Sequence, residues 1–178
     1  HTVACSMVEA AAPSEIDSLA MRAAEAGEVA LLRLLLQQQQ QPPWPLPVLN
    51  RLLLAAVCAD QDGCAALMLG HGASPNATSP CGAITALQRA VQHKEKAMAH
   101  RLLAACADVM AVDENGQTAL HHAARAGGDN SCLAALLRRS MPDDDDDGES
   151  LACGVLDVWG RTPLHWAVIS GHREAVVS

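Results

Sequence analysis

Thr162-Pro163-Leu164-His165-Trp166-Ala167-Val168-Ile169-Ser170-Gly171 has a near copy upstream, Thr118-Ala119-Leu120-His121-His122-Ala123-Ala124-Arg125-Ala126-Gly127. A fainter copy precedes both, Thr85-Ala86-Leu87-Gln88-Arg89-Ala90-Val91. Self-similarity at a fixed period outranks every other reading of a sequence, because it fixes the architecture before any single element is assigned. One column carries it along the chain: Ala23, Ala56, Ala90, Ala123 and Ala167, at intervals of 33, 34, 33 and 44 residues. Three residues before each stands an apolar side chain, Ala20, Leu53, Leu87, Leu120 and Leu164. A later apolar pair repeats as Leu35-Leu36, Met68-Leu69, Leu102-Leu103 and Leu136-Leu137. Four residues after the column alanine come Gly27, Gly127 and Gly171, with Asp60 and Lys94 in their place in the middle repeats.

Each repeat reads as helix, turn, helix, loop. Thr85, Thr118 and Thr162 stand where a hydroxyl caps the first helix. Pro163 follows at a position where no helical N–H bond is lost. Alanine in the column lets two helices approach closely, and a larger side chain there would force them apart. Gly after the first helix permits the left-handed turn, so Lys94 marks a local weakness. A unit this small buries no face of its own, so neighbours must stack.

This pattern resembles the ankyrin repeat, with its period of about 33 residues and T-P-L-H-x-A core. Thr162 to Ala167 matches that core fully, and Thr118 to Ala123 matches with one change. Asp113-Glu114-Asn115-Gly116-Gln117 and Asp157-Val158-Trp159-Gly160-Arg161 look like lead-in turns; Gly72 to Ala77 and Cys106 to Ala111 look like closing segments. The expected fold is an all-α ankyrin-repeat solenoid of about five stacked helix-turn-helix repeats, the last truncated. Residues 1–17 are expected to be a poorly ordered flank. The repeats fall at about 18–50, 51–83, 84–115, 116–156 and 157–178. In the ankyrin pattern, His121 and His165 would bond backbone around the loop and tie adjacent repeats, a structural role and not a ligand set.

Two segments break the period's composition. Residues 37–47 form a Gln/Pro-rich loop, Gln37 to Gln41 followed by Pro42-Pro43-Trp44-Pro45-Leu46-Pro47, read as a stiff connector that replaces a loop without lengthening the repeat. An acidic insertion at 140–150 contains Asp143 to Asp147 and lengthens the fourth repeat. Five adjacent carboxylates repel one another and lack the alternating ligands of a calcium loop, so the insertion reads as a solvated loop.

Composition narrows the function. The chain of 178 residues is half hydrophobic yet holds no Phe or Tyr and three Trp, and its formal charge is −8. That charge, with no basic stripe, excludes free attraction to nucleic acid. Seven cysteines without a CxxC pair read as reduced thiols, those within apolar runs (Cys64 and Cys106 among them) as small buried side chains. Asn76-Ala77-Thr78 matches a glycosylation sequon with nothing else to suggest secretion. No apolar run reaches a membrane span. The chain opens on His1 and stops at Ser178 within an apolar helical pattern, and is read as a fragment of something longer.

No nucleophile–base pair, phosphate loop, cofactor motif or metal cluster stands out, so no catalytic, cofactor or metal residue is assigned. What the resemblance implies is a partner protein on the concave face of loop tips and first helices. The register places Glu114, Asn115, Gln117, Trp159 and Arg161 on the loop tips, and Arg89, Gln92, His93, His122, Arg125, Trp166 and Ile169 on the first helices. Trp159 and Trp166 are the sharpest candidates, since Trp and Arg dominate protein interfaces; each alternatively covers a local apolar gap. The expected function is an intracellular protein-interaction module, scaffold or adaptor, in cytoplasm or nucleus. The alternatives are the non-catalytic recruiting region of a ubiquitin ligase, kinase or acyltransferase, and a transcription regulator using its Gln and Asp tracts.

Overall fold

A computed structural model of the chain describes residues 13–38, 44–79, 83–127, 130–140 and 153–171. Secondary structure there is helical apart from one isolated bridge, Thr78 with Thr85. Two compact units divide the chain, His1–Ala77 and Thr78–Ser178.

In the first unit, α1 (Pro13–Ala26) and α2 (Val29–Gln38) form one helix pair, α3 (Leu46–Cys58) and α4 (Asp62–Gly70) the next. First helix packs on first helix, α1 on α3, and second on second, α2 on α4. The interface is built from small and aliphatic side chains: Ala20, Ala23, Leu32, Leu35, Leu52, Leu53, Ala56, Cys64 and Met68 are all at most 2% exposed. Burying such surface at about 25 cal/mol per Å² is what stabilises helices too short to stand alone. Cys64 fits the expected buried thiol, and burial pushes its pKa up.

Helix α1 takes in the last five residues of the flank expected at 1–17, and residues 1–12 lie outside the described residues. The expected loop at 37–47 is shorter than its composition suggests. Gln37 and Gln38 continue α2, and Leu46 and Pro47 already belong to α3, where proline in the first turn costs no hydrogen bond. Pro45, at φ −58° and ψ 134°, has the extended geometry proline favours and accepts the first two helical N–H groups, from Val48 and Leu49. Trp44 is buried in this unit rather than offered to a partner.

The second unit contains α5 (Ala86–Gln92) with α6 (Lys96–Ala104), α7 (Ala119–Ala126) with α8 (Asn130–Ser140), and α9 (Pro163–Ile169). The first helices α5, α7 and α9 pack in series, and α6 packs on α8. Thr85 and Thr162 close capping boxes: each threonine N–H bonds the side chain three residues on, Gln88 at 2.8 Å and His165 at 3.0 Å, while its hydroxyl receives that residue's N–H. Residues 141–152, with the acidic run, lie outside the described residues.

The column alanines are 0–2% exposed in four repeats, whereas Ala123 is half-buried and Ala124 takes the buried place in α7. All five residues four places later adopt positive φ: Gly27 76°, Asp60 55°, Lys94 64°, Gly127 60° and Gly171 74°. Asp60 and Lys94 thus hold a backbone conformation that costs a non-glycine residue about 1–2 kcal/mol. Among the five described cysteines the expectation of burial holds for Cys64 alone: Cys132 is half-buried, and Cys58, Cys106 and Cys153 are exposed. Cys106 lies past the end of α6 at φ 61°, the place Gly72 takes at φ 90° one repeat earlier.

Candidate functional site

Two matching loops lead into α7 and α9, each organised by an aspartate. Asp113 Oδ1 accepts the N–H groups of Asn115 at 2.8 Å and Gln117 at 2.9 Å. Asp157 Oδ1 accepts those of Trp159 at 2.9 Å and Arg161 at 2.8 Å. In both, the aspartate backbone closes the loop, Asp113 N to Gln117 O and Asp157 N to Arg161 O, and the turn runs through Gly116 or Gly160 at φ 70°. Val158 N donates to Asn115 O at 3.0 Å, so the second loop is laid on the first. Sequence reading took these segments as turns but gave no role to Asp113 and Asp157; the repeated Asp-x-x-Gly spacing was the available signal.

The second carboxylate oxygen reaches nine residues along, to the variable position of the six-residue motif. Asp113 Oδ2 lies 3.0 Å from His122 Nε2, and Asp157 Oδ2 accepts from Trp166 Nε1 at 2.9 Å. His122 is 2% exposed; its Nε2–H serves Asp113 and its Nδ1 accepts from Gln92 Nε2 at 3.3 Å. Burial pushes its pKa down, against the pull of the adjacent carboxylate. His122 and Gln117 are therefore corrections to the expected contact set. Both are buried, because the aspartate that shapes the loop bonds the imidazole of one and the backbone N–H of the other.

The fourth motif position ties one repeat to the next. Gln88 Nε2 donates to Ala111 O at 2.8 Å and Gln117 O at 2.9 Å. His121 accepts Thr118 N–H on Nδ1 at 3.1 Å, so its Nε2 carries the proton and donates to Arg161 O at 3.1 Å. Burial keeps this imidazole's pKa low. The linking role that the ankyrin pattern assigns to His121 is thus realised, and Gln88 performs it too.

What remains exposed is an alternating stack of cations and rings. The Arg161 guanidinium sits 4.6 Å from the Trp159 ring centroid and 4.2 Å from that of Trp166; Arg125 lies 5.6 Å from Trp166 on the far side of the sequence. Arg161 Nε is 3.4 Å from Asp157 Oδ2, an ion pair on the same guanidinium that meets the two indoles. Although burial alone would raise the pKa of Asp157, the Arg161 N–H, the Trp166 indole, the Trp159 N–H and Gln117 hold it at about 2. Trp159 is 56% exposed and Ile169 61%. Trp166 is half-buried: its N–H serves the loop and its ring faces the arginines.

The structure joins Trp159, Arg161, Trp166 and Arg125 in one cluster. Arg89, Gln92 and buried His122 form a second, with Arg89 Nη1 3.5 Å from Gln92 Oε1. Glu114 and Asn115 are exposed on the first loop tip, and His93 is exposed 4.0 Å from Glu95. Among the described residues no three His, Cys, Asp or Glu side chains converge as a metal site, and no helix is long and apolar enough to cross a membrane.

A comparison with curated proteins returns no match. The family described as Ankyrin repeats (3 copies) matches residues 52–146 and 87–177, which together span most of the chain and take in every repeat from α3 to α9. With its threonine-capped first helices, its helix pairs stacked in register and its aspartate loops, the chain is an all-α ankyrin-repeat protein and belongs to that family.

Proposed function

We propose that this chain is an interaction module, a scaffold or adaptor, that binds a partner protein on the loop-tip and first-helix face of its second unit. Ankyrin repeats are in general protein–protein interaction modules. The observation that carries the reading is the cluster of Trp159, Arg161 and Trp166, an exposed tryptophan stacked on a guanidinium that also meets a second indole. Rigid aromatic and arginine side chains lose little entropy on binding and form the energetic centre of most interfaces. The proposed face takes in Arg125 at the Trp166 ring, together with Ile169, Glu114, Asn115, Arg89, Gln92 and His93. Cys58, Cys64, Cys106 and Cys153 are free thiols, which supports a reducing, intracellular setting.

Affinity capture with the intact protein and its Trp159→Ala variant tests the reading. Partners held by the wild type are expected to drop by tenfold or more with the variant, while its urea midpoint stays nearly unchanged. A partner set indifferent to Trp159, or a variant that unfolds, would sink it.

A further inference from the structure

The two arginines of the stack differ from ordinary surface cations in what they leave free. Asp157 pairs with Arg161 at Nε, and the guanidinium lies over the rings of both Trp159 and Trp166. The terminal Nη edge, the one that takes a carboxylate end-on through two parallel bonds, has no protein partner among the described residues. Arg125, exposed on α7, shows no hydrogen bond among the described residues, and its guanidinium lies 5.6 Å from the Trp166 ring centroid. Asp157 offsets part of the Arg161 charge, but the oxygens of Asp113 and Asp157 are buried and already hold backbone N–H groups, an imidazole and an indole, so the arginine donors are what an incoming group meets. Glu114 is the exposed carboxylate of the first loop tip. Trp159, beside Arg161, is 56% exposed, and the same loop and α9 carry further exposed apolar side chains, Val158 at 63% and Ile169 at 61%.

We infer that this patch takes an acidic peptide segment of the partner, one in which carboxylates alternate with bulky apolar side chains. The inference rests on the reading that this face binds a protein, and it names the chemistry of what binds. A peptide carboxylate meets the Nη edge of Arg161 and a second meets Arg125; the apolar side chain between them lies toward Trp166, the ring both arginines share, and a flanking one lies on Trp159. Stacking pre-organises the guanidinium, so less side-chain freedom is lost when the carboxylate docks.

Binding of short fluorescein-labelled peptides to the full chain, followed by fluorescence anisotropy and by tryptophan emission, tests this. The probes are a peptide of alternating Glu and Leu, its Gln and Leu counterpart, and a peptide of alternating phosphoserine and Gly. The Glu–Leu peptide is expected to bind about tenfold or more tightly than the Gln–Leu peptide, with an affinity that falls severalfold as salt rises. Arg161→Lys, which keeps the charge but removes the fork and the stack, is expected to weaken it by about tenfold. Arg125→Gln, at an exposed position, is expected to weaken it severalfold with an unchanged urea midpoint, so the inference stays testable should Arg161→Lys disturb the loop. Equal binding of the Glu and Gln peptides, tighter binding of the phosphoserine peptide, or indifference to both arginine variants would overturn it. If proteins captured by the wild type are lost with Trp159→Ala while the Glu–Leu peptide fails, the interaction reading stands and the acidic-peptide inference falls.

Discussion

The two aspartate loops differ at the second carboxylate oxygen, which at Asp157 also pairs with Arg161 Nε, and that difference sets an unequal response to the same substitution. Asp113 Oδ2 faces His122 Nε2, whereas Asp157 Oδ2 faces the Trp166 indole N–H. Replacing either aspartate with asparagine keeps the shape, and Oδ1 still accepts the two loop N–H groups in each case. Charge assistance on those two bonds is lost, at about 0.5 kcal/mol apiece. At residue 113 the new amide N–H₂ points at an imidazole, which shifts its proton to Nδ1 and accepts; the Gln92 amide then turns to present its oxygen. At residue 157 the amide points at an indole, which has no acceptor to offer. A bond of about 1.5–3 kcal/mol is exchanged for two opposed donors.

The expected costs are therefore about 1–1.5 kcal/mol for Asp113→Asn and about 3 kcal/mol for Asp157→Asn, read from urea denaturation of the full chain near neutral pH. The decisive step is the double variant. In a Trp166→His background residue 157 faces an imidazole, and the cost of Asp157→Asn should fall to about that of Asp113→Asn. The single Trp166→His loses the contact with Arg161 and is measured separately, so the cycle isolates the donor conflict. Equal costs for the two asparagine variants, or no relief in the histidine background, would refute the reasoning.

Other consequences follow from the same geometry. Lys94→Gly and Cys106→Gly each remove a side chain from a left-handed backbone position and should raise stability by about 0.5–1 kcal/mol in urea melts; for Cys106 the gain is reduced by the lost contact with Arg139 Nη2 at 3.7 Å. Leu120 and Leu164 share one motif position but are 1% and 52% exposed, so Leu120→Ala should cost about 2–5 kcal/mol and Leu164→Ala less than about 1, a contrast that equal losses would contradict. His121 and His122 both bind a proton more weakly folded than unfolded. The unfolded chain takes up those protons first, so stability is whole above about pH 6.5 and declines as pH falls from there toward the lowered folded values. His121→Gln should lessen that decline while nearly preserving stability at neutral pH, because Gln88 already fills both the capping and the linking role one repeat earlier. A decline unchanged by His121→Gln would move the effect elsewhere.

The repeat itself was legible because it depends on side-chain size and spacing, which sequence displays directly. Buried alanines, capping threonines and the positive-φ position recur in the same place whatever neighbours surround them, and even Asp60 and Lys94 adopt the turn that their register demands. Boundaries were less legible where composition and conformation part. A run of glutamines reads as loop, yet glutamine is a good helix former, and Gln37 and Gln38 simply continue α2. Cys106 read as core because its neighbours are apolar, and it is exposed because its backbone has already left the helix.

The site shows why a register alone misplaces individual side chains. Arg89, His122 and Trp166 occupy one motif position, and register put all three on the binding face. Their fates are set by what the preceding loop offers. Where an aspartate stands nine residues before, as at Asp113 and Asp157, its second oxygen draws in whatever donor the motif supplies. An imidazole is small enough to follow that oxygen inside and disappears from the surface. An indole reaches the same oxygen with one edge and leaves the rest of its ring outside, where Arg125 and Arg161 stack on it. Before Arg89 the place nine residues back falls at residue 80, a proline, which accepts no side-chain bond, and the guanidinium stays half-exposed toward Gln92. The exposed stack is thus a consequence of ring size at a structural position: the same bond that builds the loop leaves tryptophan available for recognition and takes histidine away.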